Sequence, residues 1–475
     1  MEYLSVKEMS NRWNMKERKV TSLCRENRIP GVQKKNNTWL IPSDSVMPID
    51  KRTKEFLNEV DKKDVKESTV SYTKNGIEER VFEEYKKVYG EKPSYMAFAP
   101  YTLCPIGAHT DHNLGLTLSF AIDKGIHIAY SKKENGIIEI TNLQFHKRVD
   151  WHVLAPPPKK ENDWADILRG ATISLLKRYP LRVGLTAVMD GELPIGGSSS
   201  SSALILSFIN ILAFLNNIKL DRKDLIEIAT EANLEYVGVD NGKLNQYTEL
   251  YSKKNALLYM DMKEESQEII PYPKKLDFEV AIFFSGVDNM LSSGNYNRRV
   301  EELRCSSYLL KAYSGMDYGR VNDSNMREIE EDIYLKYKEK LPLNFQKRVE
   351  HFYEECKRVK EGVKFFQKGN IKEFGRMMNL SGKSSIEKWE TGREELIKLY
   401  EVIKETNGVY GTRFSGAGFR GCCIALINPK KEKEVLQRVE EEYLKIYPEL
   451  KGKYSSHICN MSDKMLMIER KKEKI

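Results

Sequence analysis

Long apolar runs are scarce in this sequence. The longest, "ALILSFINILAFL" at 203–215, is well short of the ~20 residues a membrane-spanning helix needs. It follows a glycine/serine turn and reads as a buried helix, so no membrane partner is expected. The N-terminus "MEYLSVKEMS" has no apolar signal core, and a cytoplasmic location is expected. Cysteine is sparse too. There are seven, an odd number, with no C-x-x-C pair and with Cys422 and Cys423 adjacent. A disulfide framework and a zinc site are thereby disfavoured. Internal repeats and low-complexity tracts are absent. The net charge of +8 is small for 475 residues, which excludes a chain that is basic throughout.

What is present is an ordinary globular composition, 40% hydrophobic and 31% charged, in a chain long enough for about three domains. The charge is uneven. The first 52 residues carry eleven Lys/Arg against six Asp/Glu, most of the whole excess. Residues 51–75 are charged and almost without apolar periodicity, and read as a linker. From 76 onward apolar strands alternate with amphipathic helices. A second boundary falls near "IIPYPKKLDFEVAIFFSG", giving expected segments of 1–50, 51–75, 76–270 and 271–475.

In the first segment, Ser5 and Glu8 have the Ser-x-x-Glu spacing of a capping box. A break at "WNM" precedes a second helix, "KERKVTSLCRE", with Val20 and Leu23 inward and Lys16, Arg18, Lys19 and Arg25 outward. "RIPGVQKKNNTWLIP" then predicts a small hairpin, with Asn36-Asn37 suited to its turn and Lys34 and Lys35 on its face. Two short helices and a basic wing resemble the excisionase/MerR-type helix-turn-helix. The resemblance implies double-stranded DNA as a partner, with dimerisation expected because a single such module binds weakly. A helical appendage for protein contact is the other reading.

Three glycine-centred stretches follow. "APYTLCPIGAHTDHN" (99–113) is a strand, a glycine turn, then His109 and Asp111 close together. "GELPIGGSSSSSALILSFINILAF" (191–214) is a glycine-rich loop feeding a helix, an arrangement whose backbone N–H groups can cradle a phosphate. "GVYGTRFSGAGFRGCCIALI" (408–427) is strand, tight turn, strand. In this order they resemble the GHMP kinase superfamily over roughly 76–470, on its galactokinase branch. They are most similar to the galacturonokinases, which share the pattern "PxGAHxDH" and nearly match the third motif.

The resemblance implies a two-lobed α+β kinase fold and an ATP-dependent sugar 1-kinase. Sugar contacts would fall to His109, Asp111, Asn113, Ala108, Tyr296 and Gly416. The ATP phosphates would lie on Pro194, Gly196, Gly197, Ser198, Ser200, Ser201, Ser202 and Ala203. Mg²⁺ would be held at Ser202 and, weakly, Asn233. Galactokinases carry glutamate where this chain has Ala108; alanine removes a like charge from a sugar's C6 carboxylate and implies a uronate. Arg298, Arg299 and Arg420 are candidate counter-cations.

The sequence departs from the family at three charged positions. Thr102 stands where the family has an arginine, Asn245 where it has the aspartate acting on the anomeric hydroxyl, and Asn233 where it has a Mg²⁺-holding glutamate. An amide cannot accept a proton at neutral pH. The expectation is therefore a sugar-acid- and ATP-binding transcriptional regulator with lost or weak kinase activity. An active galactokinase or galacturonokinase is the alternative, for which Glu235 or Asp240 could supply a carboxylate.

Overall fold

The computed structural model describes residues 3–45 except 14, 26–28, 30, 36, 37 and 44, and residues 76–469 except 198, 274, 275, 288–292 and 420. The expected linker at 51–75, the Asn36-Asn37 turn, Ser198 and Arg420 lie outside the described residues.

The N-terminal segment forms a small body with its own core. Strand β1 (Tyr3–Ser5) runs into a helix, Val6–Arg12, and a second helix follows at Glu17–Arg25. The first opens on the capping box read from the sequence, Ser5 Oγ accepting from Glu8 N and Glu8 reaching back to Ser5 N. Strands β2 (Gln33–Lys35) and β3 (Thr38–Pro42) complete a three-stranded sheet in the order β1-β3-β2. β1 was not expected; three residues are too few to show a period. Met9, Val20, Leu23, Cys24, Ile29 and Ile41 fill the centre.

The rest is a mixed α+β architecture. β4 (Tyr95–Ile106), β5 (Leu116–Lys133), β6 (Ile137–Asn142), β7 (Lys147–His152), β8 (Gly184–Gly191), β9 (Ala256–Asp261) and β10 (Ser266–Pro271) build one large sheet. Its order is β10-β9-β5-β8-β6-β7, with β4 beside β5. The eighteen-residue β5 is its spine, pairing with β4, β8 and β9 along different parts of its length. A second sheet joins β11 (Glu279–Phe284), β12 (Val409–Phe414), β13 (Cys422–Ile427) and β14 (Ser455–Cys459) in the order β12-β13-β11-β14. The chain then returns to the first sheet: β15 (Met461–Ser462) pairs with β5 and β16 (Leu466–Glu469) with β4.

The apolar run expected to be a buried helix is one, Ser200–Leu215, with twelve of its sixteen residues buried. A helix apolar on all sides has no solvent face and needs cover all round. It packs on β4, β5 and β8 and fixes the direction in which the preceding loop points. Two long helices, Leu343–Gln367 and Ile371–Glu387, cover the turn after β4.

Candidate functional site

The loop between β4 and β5 carries the first motif and is held under strain. Gly107 has φ +102, and a Cβ there would lie 2.6 Å from the Thr117 Cα, so only glycine fits. His109 has φ +63, the left-handed region that costs a non-glycine residue energy. Two long-range contacts hold this shape. Gly107 N donates to Glu355 Oε1 at 2.7 Å, and His351 Nε2 donates to the Ala108 carbonyl at 3.1 Å.

His351, Glu355 and Arg358 lie at i, i+4 and i+7 on the helix Leu343–Gln367, which puts them on one buried face. A row of serines on the facing helix answers them: Ser384 bonds His351, Ser381 donates to Glu355, and Ser381 and Ser385 accept from Arg413. Burial pushes the Glu355 carboxyl up, but Arg358 and its other partners overcome this and hold it at about 2. A permanent carboxylate thus anchors the turn, and Arg413 of the third motif reaches the same cluster. The sequence reading missed His351 and Glu355, which sit in one helix without a motif; polar residues at helical spacing were the only trace.

The sugar-contact residues inferred from the family fall in two groups. His109 stacks on the Trp389 indole at 5.2 Å and 7°, the His109 and Tyr296 rings lie 6.1 Å apart, and Ala108 beside His109 is buried. Trp389 is fully buried and follows the helix Ile371–Glu387. Asp111 belongs to the second group. Its Oδ2 accepts from Leu244 N at 3.0 Å, at the start of the helix Leu244–Tyr251. Burial raises its pKa, opposed by backbone N–H groups of which Leu244 N is first. A Cβ on Gly242 would lie 1.9 Å from Asp111 Oδ2, so a side chain there would displace the Asp111 carboxylate. Asn113 is fully buried with its amide committed: Oδ1 accepts from Met326 N at 3.1 Å and Nδ2 faces His112 Nδ1 at 2.9 Å. It shapes the loop from within the protein.

The two substituted positions on β4 and the helix Leu244–Tyr251 meet. Thr102 Oγ1 donates to Asn245 Oδ1 at 3.2 Å, with Thr102 buried and Asn245 half-buried. No charge remains in this pair. One turn on, Glu249 is fully buried with neither carboxylate oxygen partnered among the described residues, and burial raises its pKa well above the usual range.

The second and third motifs come together backbone to backbone. Gly196 (φ +121) and Gly197 (φ +84) precede Ser199 (φ +59), which enters the helix at Ser200 with no side-chain cap. The helix's first N–H groups are therefore not taken by the Ser199 side chain. A Cβ on Gly416 would lie 3.0 Å from the Gly197 Cα, and one on Gly421 2.9 Å from the Gly196 carbonyl carbon. Gly416 thus lies against Gly197 of the second motif. Pro194 and Ser201 are exposed, Ser200 is half-buried, and Ser202 and Ala203 are buried.

The donor set suits a phosphate better than a protein-held Mg²⁺. Asn233 is buried in a π-helical turn, Ala232–Val237, and its amide nitrogen donates to Ala229 O at 3.2 Å. Glu235 is exposed and paired with Lys177, and Asp240 is paired with Arg304. Among the described residues there is no cluster of three His, Cys, Asp or Glu side chains able to hold a metal. A hard dication prefers carboxylates; Asn233 is an amide, and the carboxylates of Glu235 and Asp240 are already ion-paired. Of the candidate counter-cations, Arg298 is bound to Glu302 and Arg299 donates to the Trp389 carbonyl at 3.1 Å.

In the N-terminal body, Lys16, Arg18, Lys19, Arg25, Lys34 and Lys35 are all exposed, with Lys34 over the Trp39 ring. No described helix is long and apolar enough to cross a membrane.

Three family models match the chain: the galactokinase galactose-binding signature at 83–132, the GHMP kinases N terminal domain at 166–253 and the GHMP kinases C terminal at 363–445. Galacturonokinase of Arabidopsis thaliana is 32% identical over 414 residues, covering 82% of this chain and 96% of that protein. Galactokinase of Clostridium perfringens is 29% identical, covering 75% and 91%. Lactococcus lactis galactokinase, solved with galactose, superposes with a TM-score of 0.73 at 24% identity, over 81% of this chain and 98% of that one. The last likeness speaks to the fold.

Proposed function

The chain belongs to the GHMP kinase superfamily, on its galactokinase and galacturonokinase side, and from that premise we propose that it binds a sugar acid and ATP with a crippled transfer step and reports occupancy through a DNA-binding N-terminal body. The single observation carrying the loss of turnover is the neutral Thr102–Asn245 pair. Phosphoryl transfer depends on placed charge more than on covalent chemistry. A threonine hydroxyl cannot offset developing negative charge as an arginine does, and an amide cannot take the proton of a sugar hydroxyl. The loop 194–203 would hold the phosphates through backbone N–H groups and a helix N-terminus. ATP supplies the transferable phosphoryl group when bound. Ala108, His109 and Asp111 would orient the sugar, and the absence of a carboxylate at 108 supports a uronate. Glu235 and Asp240 are already ion-paired, so neither is free to replace the missing base.

A second reading, an active ATP-dependent sugar kinase, is favoured by the similarity to galacturonokinase and by the close-packed glycine cradle at Gly196, Gly197 and Gly416. ADP release separates the two. Full-length protein with ATP, Mg²⁺ and galacturonate, glucuronate or galactose is expected to release no ADP above background while its melting temperature rises with a uronate. Turnover on the order of 1 s⁻¹, an ordinary kinase rate, overturns the regulator reading and leaves the kinase. The exposed basic residues of the N-terminal body support double-stranded DNA as its partner.

A further inference from the structure

Two buried N–H donors at the first motif have no acceptor among the described residues. Trp389 Nε1 is one; an indole nitrogen only donates. The other is on His112. Asn113 Oδ1 accepts from Met326 N, which fixes the amide's orientation and makes Nδ2 the group facing His112 Nδ1. Nδ1 therefore accepts, and the proton of the neutral ring sits on Nε2, which is buried and unpartnered. His109 Nε2 is a third buried nitrogen without a partner. All three rings share one stack, His109 and His112 lying 5.2 and 5.5 Å from Trp389. Buried polar groups without partners are rare and costly, so two donors and a third ring nitrogen in one place call for an acceptor-rich ligand.

We propose that Trp389 Nε1–H and His112 Nε2–H, with the ring of His109, receive the carboxylate of a sugar acid, and that the balancing positive charge arrives as a proton taken from solvent onto His109. This rests on the sugar-acid reading above. The nearby arginines are already engaged: Arg298 with Glu302, Arg299 with the Trp389 and Glu390 carbonyls, Arg304 with Asp240, Arg358 with Glu354 and Glu355, and Arg413 with Phe414 O and two serines. Burial, then His351, Arg413 and His112, keep His109 neutral without ligand. Asp111 lies in the same loop, Tyr296 faces the ring from its own helix, and Glu355 lies behind His351. A carboxylate at hydrogen-bond distance reverses the balance, because an adjacent opposite charge favours the protonated ring. No other bond is made or broken.

The Trp389 indole is placed to serve a ligand because its backbone is clamped. Arg299 holds its carbonyl, while Arg348 and Lys347 hold the next residue, Glu390, which has φ +56. The ring therefore keeps its place while its N–H remains unspent.

Calorimetric titration of the full chain with galacturonate and with galactose, each in two buffers of different protonation enthalpy at pH 7, tests this. Galacturonate is expected to bind with uptake of about half to one proton and galactose with none. Trp389→Phe, which keeps a ring and loses the N–H, is expected to weaken galacturonate about tenfold or more and galactose by less than about threefold. Galacturonate binding without proton uptake, or undiminished by Trp389→Phe, overturns the inference and leaves the sugar-acid reading standing. Galactose binding with no galacturonate binding overturns both.

Discussion

Thr102 and Asn245 hydrogen-bond across the junction of β4 and the helix Leu244–Tyr251, hydroxyl to amide oxygen at 3.2 Å. By the resemblance to galactokinases each stands where that family carries a charged group, and the two touch. A lone arginine at 102 would be a buried cation without a partner, and a lone aspartate at 245 would face a hydroxyl in a site that already disfavours carboxylates, as the raised pKa of Asp111 shows. The neutral pair is self-consistent, which explains how both changes persist together.

Restoring both charges should therefore differ from restoring either. Thr102→Arg and Asn245→Asp are each expected to lower the melting temperature, with the double variant destabilised by less than the sum. ADP release should rise about 10²-fold or more in the double variant over the parent, and little in the singles. The check is a double-mutant cycle read both by thermal unfolding and by coupled ADP release with galacturonate. Equal rates in all four proteins would show that the neutral pair is not what limits turnover.

Gly242→Ala tests the seat of Asp111. The substitution usually stabilises a chain by restricting its unfolded state. Here the added Cβ would sit 1.9 Å from Asp111 Oδ2, and overpacking of that kind costs about 1–3 kcal/mol. The expected result is a lower melting temperature together with at least a tenfold loss of sugar affinity. ATP affinity should be unchanged, because the phosphate loop is built from other elements.

What the sequence shows of this site is its local part. The capping box at Ser5 and Glu8, the buried helix at 200–215 and the glycine turns at 196–197 and 416–421 are written in neighbouring residues, where spacing translates directly into geometry. Contacts across hundreds of positions are not. Glu355 reaches Gly107 across 248 residues and His351 reaches Ala108 across 243, and neither lies in a pattern that names its partner. Trp389 is a lone aromatic after a helix, and no motif in the sequence marks it. That Thr102 and Asn245 touch, that Gly416 lies on Gly197, and that Glu235 turns outward to Lys177 are facts of tertiary packing.

Glu249 gives the stability curve a predictable sign. Its folded pKa is raised by burial, so the folded state holds this proton more tightly than the unfolded chain does. Its favourable contribution is complete below the unfolded value near 4.5 and is lost as pH rises through the folded value. Glu249→Gln removes the titration. The variant should match the parent in melting temperature near pH 4 and exceed it by several degrees at pH 8–9, since ~1 kcal/mol moves the midpoint by ~2–4 °C in a domain of this size. A constant difference across the range would mean the carboxyl finds a counter-charge.

The histidines work in the opposite sense. His112 is held at about 3 and His351 at about 4, in both cases chiefly by burial. A depressed histidine contributes stability above its unfolded value near 6.5, and that contribution is lost as pH falls toward the folded one. Acid below pH 6 should therefore loosen the sugar-binding lobe. The loss should be visible as a falling melting temperature between pH 6.5 and 4, shallower in His351→Gln, where one of these groups no longer titrates.

The N-terminal body is tested apart from the sugar site. Lys16, Arg18 and Lys19 lie exposed at and just before the start of the helix Glu17–Arg25, while Val20 and Leu23 on its other face are buried. Charge reversal at the three exposed positions therefore leaves that core untouched and should not change the melting temperature. It should abolish binding to DNA from the region upstream of the coding sequence, measured by fluorescence anisotropy. In the parent, affinity should fall steeply with salt, the logarithm of the binding constant dropping linearly with that of the salt concentration at about 0.9 per neutralised phosphate. Retained DNA binding in the triple reversal, with the same salt slope, would move the contact to another surface. Binding that is absent in the parent as well would remove DNA as the partner and leave the body as a protein-contact module.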